Sequence, residues 1–324
     1  MNQELILHHY DGSPFAEKTR LMLGYKGLAW RSVKVTVVMP KPDVVALTGG
    51  YRRTPFVQMG ADVYCDTALI ARLLEARAPT PKLFPPHLPL APLLAQWADA
   101  TMFWTVVPYT LQPAGAAHRF AGAPPEVLKA FAADRAAMTA GMTRQTAADA
   151  TVNLRAQLAM LDTQLVGGGP FLFGDVSIAD FAVAHCVWFV ASGGPVAEIL
   201  APYAALKTWY AGMRAFGHGR PEKMGSDEAL AVSAAATSHA PCAVLPGQGF
   251  EAGQAVTVTP TDYGRDPVAG TLMGLDAHEI VVRRSDKRAG TVHVHFPRAG
   301  FQIKSPVADK TEKTEKTEKS EKTA

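Results

Sequence analysis

Apolar and polar positions between residues 4 and 82 switch between two periods. Leu5-Ile6-Leu7-His8-His9-Tyr10 is a strand-like run that ends in the turn pair Asp11-Gly12. From Pro14 to about Lys26, Phe15, Met22 and Leu23 share one helical face, and Gly27 closes the segment. Val33, Val35 and Val37 alternate with Lys34 and Thr36, the pattern of a half-buried strand. Phe56–Met59 and Asp62–Cys65, joined by Gly60-Ala61, read as a hairpin, and a helix follows from about Thr67 to Arg77. The order is β-α-β, a variable connection, then β-β-α.

Pro79, Pro81, Pro85, Pro86 and Pro89 form a stiff linker, beyond which the pattern changes. Residues 90–217 read almost entirely as helix, with strong segments at 148–166, 176–191 and 202–216. From about residue 241 strand signals return, at 255–259, 279–283 and 291–296, separated by turn residues. Four segments are expected: 1–82, 90–225, a small β-barrel or curled sheet at 241–305, and a Lys/Thr/Glu tail at 306–324. The tail has no apolar content to offset its ordering entropy, so it is expected to be disordered. The β-segment has its own strand pattern, so a chain cut after Arg220 is expected to fold.

Composition narrows the function classes. A net charge of +3 over 324 residues offers no concentrated basic surface for nucleic acid. The β-segment alone carries seven Lys/Arg against six Asp/Glu, which argues against a nucleic-acid-binding barrel. No apolar run is long enough to span a bilayer, and Met1-Asn2-Gln3-Glu4 does not read as a secretory leader. Cys65, Cys186 and Cys242 match no metal or redox spacing, so a reducing cytoplasm is expected. No metal is expected either. His8 and His9 point to opposite strand faces, and His293 and His295 share a face but lack an evident third ligand. Solvent-facing strand positions account for that last pair.

Three clusters carry candidate chemistry. In Tyr10-Asp11-Gly12-Ser13-Pro14-Phe15-Ala16, Ser13 stands where a strand gives way to a helix with proline at its first position, which suits an N-cap. The same helix N-terminus favours an anion, including a thiolate. Arg53-Thr54-Pro55 precedes a strand, and Asp66-Thr67 lies at a second strand-to-helix junction. In the helical region, Ser177 and Asp180 have capping-box spacing, and Val176 and Phe181 occupy staple positions.

In this order the clusters resemble the N-terminal domain of glutathione S-transferases. Ser13-Pro14-Phe15-Ala16 looks like the Cys-Pro-Phe-Ala segment of omega-like members, with serine in place of cysteine. Gly174 to Phe181 looks like the helix-capping motif of the family's C-terminal domain. The resemblance implies an α+β protein: a thioredoxin-like α/β domain, an all-helical second domain, and here a small all-β addition. It implies Ser13, with Tyr10 as the alternative, beside the glutathione sulfur, and Arg53, Thr54, Pro55, Asp66 and Thr67 around the rest of glutathione. Phe103, Trp104 and Tyr109 fall in the region that lines the family's hydrophobic substrate pocket. With cysteine at neither Ser13 nor Ala16, dithiol exchange there is excluded.

The expected activity is glutathione transfer to a small hydrophobic electrophile, a detoxification reaction, with glutathione as co-substrate and a homodimer as the possible assembly. The alternative is a non-catalytic binding or scaffold protein that docks partners through its β-domain.

Overall fold

The protein is described here through a computed structural model covering residues 4–305, and the Lys/Thr/Glu tail lies outside the described residues. The first unit runs β1 (Ile6–His9), α1 (Pro14–Tyr25), β2 (Ala29–Lys34), α2 (Pro42–Thr48), β3 (Phe56–Met59), β4 (Asp62–Cys65) and α3 (Thr67–Arg77). Strands β1 and β2 are parallel, while β3 is antiparallel to both β1 and β4, the order expected of a thioredoxin-like domain. Strand β2 begins at Ala29 rather than near Val33. Its inward positions, Trp30, Ser32 and Val33, include a serine and an aromatic that the valine alternation did not reveal.

The helical unit comprises α4 (Ala91–Trp97), a π-helical turn (Ala98–Met102), α5 (Phe103–Thr110), α6 (Pro113–Arg119), α7 (Pro125–Met138), α8 (Ala147–Gly168), α9 (Ile178–Ala191), a 3₁₀ turn (Gly194–Leu200) and α10 (Ala204–Ala215). Helix α9 starts at a capping box: the Ser177 amide donates to Asp180 Oδ2 at 2.9 Å. The other oxygen of Asp180 accepts from the Leu172 amide and from Trp209 Nε1. One buried carboxylate thus joins three segments of the helical core.

The chain then returns to the sheet. Strand β5 (Arg220–Lys223) pairs with β2, and α11 (Ser226–Ala235) follows. Strands β6 (Ala255–Pro260), β7 (Val268–Leu275), β8 (Glu279–Asp286), β9 (Gly290–Pro297) and β10 (Phe301–Lys304) complete the fold. Strand β7 was not legible in the sequence because Gly270 and Gly274 interrupt its alternation, and its register slips between Leu272 and Gly274. The order across the sheet is β10-β6-β7-β8-β9-β4-β3-β1-β2-β5, so the C-terminal strands and the first unit share one ten-stranded sheet. The joint is a parallel pairing of β4 with β9, in which Asp62, Val63 and Tyr64 face His293, Val294 and His295.

The C-terminal strands must curl strongly. Strands β9 and β10 lie four strand spacings apart in the order, about 19 Å if flat. Four Cα steps from Pro297 to Phe301 reach at most about 14 Å. Phe296 and Phe301 meet inside the curl with centroids 5.5 Å apart.

Alternation along β3 and β4 distributes two cores. Val57 and Tyr64 face α1, α3 and the helical unit, while Phe56, Val63 and Cys65 face the other way. On that second side they pack with Val44, Leu47 and Tyr51, with Leu230 of α11, and with Val256, Leu272, Val282 and Phe296 of the C-terminal strands. A single apolar core therefore spans both sequence segments.

This shared core changes the expectation for truncation. A chain ending at residue 240 would bare Leu47, Phe56 and Val63 and leave β4 as an unpaired edge. Such a chain is expected to aggregate or to melt well below the full protein. Size-exclusion chromatography and thermal unfolding check this, and a monomeric fragment of unchanged Tm would show that the first unit is self-sufficient.

Candidate functional site

The Asp66-Thr67 junction and the Thr54-Pro55 loop meet at one cleft, whereas Ser13, at the other strand-to-helix junction, touches that loop but lies outside the cleft lining. Ser13 caps α1: its Oγ accepts from the Ala16 amide at 3.2 Å and donates to the Thr54 carbonyl at 3.4 Å. It is 2% exposed. The Thr54-Pro55 bond is cis. Asp66 caps α3, accepting from the Ala68 amide at 2.9 Å, with the strained left-handed φ of 74° that holds it at the strand end. Burial raises its carboxyl above the usual carboxylate range, against the Ala68 amide and Arg53, which lower it.

Arg53, Thr54, Pro55, Asp66 and Thr67 line one cleft of about 410 Å³. Phe15, Lys18 and Tyr51 complete its first-unit wall, and Gln96 and Asp99 face them from the helical unit. The third wall comes from Thr261, Asp262, Tyr263 and residues around Gly300 of the C-terminal sheet. That wall was not foreseen, because nothing in the sequence of the 261–264 turn indicates which distant residue it meets.

The turn grips Arg53. The guanidinium donates to the Asp262 carboxylate and to the Tyr263 carbonyl, and lies 3.8 Å from the centre of the Tyr263 ring. Burial of the guanidinium favours its neutral form, but Tyr263, Tyr51 and Asp262 outweigh that and keep it charged. Burial likewise raises the Tyr263 phenol, which therefore keeps its proton. The ring meets Trp104 edge-on at 5.0 Å, and the Gly264 amide donates to the Met138 carbonyl at 2.7 Å. The turn thus touches the first unit and the helical unit together.

Beneath the cleft lies a buried ion pair. Lys18, fully buried on α1, donates to Asp99 of the π-helical turn at 2.5 Å and to Thr67 Oγ1 at 3.2 Å. Asp99 also meets His185 Nε2 of α9 at 2.9 Å. Burial pushes the Asp99 carboxyl up, yet Lys18 and His185 together hold it below the usual range. Local bulges of this kind in a helix are frequent at functional sites, and this one carries the partner of a cation from the other unit.

The remaining candidates lie outside the cleft lining. Tyr10 is half-buried next to the α1 cap, its carbonyl accepting from the Ser13 amide. Phe103 packs on Phe15 and His185 at the seam between the units. Tyr109 is buried in the helical unit, its hydroxyl donating to the Val196 carbonyl at 2.7 Å. His293 and His295 correct the expectation of solvent-facing positions: they are 6% and 2% exposed, because His239, after α11, stacks on His293, and Tyr64 of the neighbouring β4 stacks on His295. Among the described residues no helix is long and apolar enough to cross a membrane.

Two family models match the chain. Residues 7–82 match the glutathione S-transferase N-terminal domain, and residues 142–212 match the C-terminal domain. The chain is similar to the crystal structure of a GST-like protein from Pseudomonas syringae, with 39% identity and a TM-score of 0.77. That match covers 94% of this chain and all of the other. Residues 1–240 alone cannot supply such coverage, so the C-terminal sheet belongs to the likeness. A glutathione S-transferase from Rhodospirillum rubrum F11, 20% identical with a TM-score of 0.50, matches 65% of this chain and 88% of its own. It supports the fold alone. A comparison with curated proteins gives no match.

Replacing Lys18 with Met should destabilise the protein by about 3–5 kcal/mol, because Asp99 would lose its buried cation. Adding Asp99→Leu should restore part of that loss. Urea unfolding of the two variants measures both, and a near-neutral Lys18→Met would remove the pair from any role in joining the units.

Proposed function

Because the chain belongs to the glutathione S-transferase family, we propose that it is a glutathione transferase whose cleft binds the tripeptide between all three chain segments. The observation that carries this reading is the convergence of Asp66, Thr67, Thr54, Pro55 and Arg53 on one cleft that opens toward the helical unit. The chemistry suits glutathione at both ends. Asp66, at a helix N-terminus and with its carboxyl raised by burial, lacks a cation partner among the described residues and would gain one in the γ-glutamyl ammonium. Thr67 offers a hydroxyl beside it. Arg53 suits a carboxylate, and in the unliganded chain Asp262 supplies that carboxylate.

The thiol would lie toward the N-terminus of α1, where the Ser13 hydroxyl and the helix dipole both favour an anion. Ser13 must then turn its proton from the Thr54 carbonyl to the sulfur. Tyr10 remains the alternative donor. Tyr263 is a third, since it lines the cleft and its phenol stays protonated. A thiol with an ordinary pKa of about 8.5 is only a few per cent ionised at neutral pH, so a lowering of about two units would make most of it nucleophilic. An apolar electrophile would be held against Phe15 and Tyr263 of the cleft, with Phe103 and Trp104 packed against those two rings, and attacked by the thiolate, with positioning contributing much of the rate.

The binding-protein reading has one observation in its favour: the Ser13 hydroxyl and the Arg53 guanidinium are both already engaged within the chain. A single set of variants separates the two. Asp66→Ala should weaken glutathione binding by about 1.5–3 kcal/mol in calorimetry. Ultraviolet absorbance of bound thiolate, titrated with pH, should show a raised thiol pKa in Ser13→Ala with affinity at low pH preserved. If only Tyr10→Phe or Tyr263→Phe moves the curve, that residue is the donor. If no bound thiolate forms below the pH at which free glutathione ionises, the protein binds glutathione without activating it.

A further inference from the structure

Strand β4 has a second functional end. Asp66 closes it at the cleft, while Asp62 opens it about 13 Å away by strand rise. Asp62 is 1% exposed, a carboxylate taken almost wholly out of water. Its Oδ2 accepts from the Ala240 amide at 2.9 Å. Its Oδ1 accepts from His295 Nε2 at 2.9 Å, and His295 Nδ1 reaches Glu279 at 2.5 Å. His295 is thus an imidazole clasped between two carboxylates.

Two further imidazoles turn toward the same oxygen. His293 of β9 and His239, which precedes Ala240, stack with centroids 3.8 Å apart and planes 13° from parallel. Their Nδ1 atoms lie 3.9 Å and 3.7 Å from Asp62 Oδ1, beyond hydrogen-bond reach, and neither has a partner among the described residues. His293 is 6% exposed, so its orphaned nitrogen has no water to turn to. An unpaired buried nitrogen is destabilising, and here two face one anion across a gap.

We propose that Asp62, His239 and His293 bind a divalent transition-metal ion of the Zn²⁺ type, with water in a fourth position. The three donor atoms lie within 4.8 Å of one another. Tetrahedral coordination with bonds of about 2.0–2.2 Å needs donors roughly 3.3–3.5 Å apart and the ion in the plane of each imidazole, so closing the set requires the partly exposed His239 to swing out of its stack on His293. Two imidazoles with one carboxylate suit Zn²⁺ over Ca²⁺ or Mg²⁺, which prefer oxygen throughout. His295 serves as the outer partner that orients the carboxylate. The third ligand missing from the sequence pattern is Asp62, brought to His293 by the β4–β9 register. The ion's place is structural. It ties β4, β9 and the segment after α11 at the joint between the two halves of the sheet.

The test uses the full-length, tag-free protein, stripped with EDTA and then titrated with Co²⁺ and Zn²⁺. One ion per chain should bind, Co²⁺ should develop visible absorbance that Zn²⁺ abolishes, and Zn²⁺ should raise the Tm. His239→Ala, at a partly exposed position, should weaken binding more than about 100-fold, beyond the 10–100-fold typical of outer-shell partners, while keeping the native circular dichroism. His293→Gln should do the same, and His87→Ala, a surface control, should bind as wild type. No saturable binding, or His239→Ala retaining wild-type affinity and Tm shift, would overturn the proposal and leave a water-bridged polar cluster.

Discussion

The parallel pairing of β4 with β9 is the constraint on which the rest of the molecule depends. Without it the first unit would end at an open edge, and the C-terminal strands would have no cover for their inner face. With it, the two sequence segments share one sheet and one apolar core. The consequence reaches the cleft directly. The curl of the C-terminal strands carries the turn between β6 and β7 back across the first unit, where Asp262 and Tyr263 close over Arg53. An addition that reads in sequence as an accessory module thereby forms a wall of the proposed glutathione site.

A second coupling acts from below. Lys18, Thr67, Asp99 and His185 form a buried polar chain across the seam between the first unit and the helices. Such a pair is costly to break and contributes little over an apolar replacement, so its value lies in fixing how the units meet. Because Thr67 belongs both to this chain and to the cleft, a shift of the helical unit would be felt at the γ-glutamyl end of a bound tripeptide. Above and below, the cleft is framed by contacts from outside the first unit.

The first unit was legible because each of its elements is locally consistent. Ser13-Pro14 starts α1, Gly60-Ala61 turns the hairpin, and Asp66 starts α3, so periodicity and capping agree. The first-unit residues that line the cleft followed from the same junctions and the loop between them. Strand β7 was hidden by its glycines, and β5 by being four exposed residues held only by pairing with β2. The partners of Arg53 and Asp62 could not be read, since 209 and 233 residues separate them from Asp262 and His295. Long-range pairing of this kind leaves no periodic trace. The alternation of His293 and His295 was visible, but their burial depends on β4, which the sequence gives no reason to place there.

The account's central claim is that the first unit and the C-terminal turn act as one binding structure. Hydrogen–deuterium exchange of the full chain, with and without glutathione, tests it most directly. Glutathione should slow exchange in the segments 53–68 and 261–264 together, because Arg53 links them. Protection confined to 53–68, with the turn exchanging as in the free protein, would contradict the claim and reduce the C-terminal sheet to a neighbour of the site.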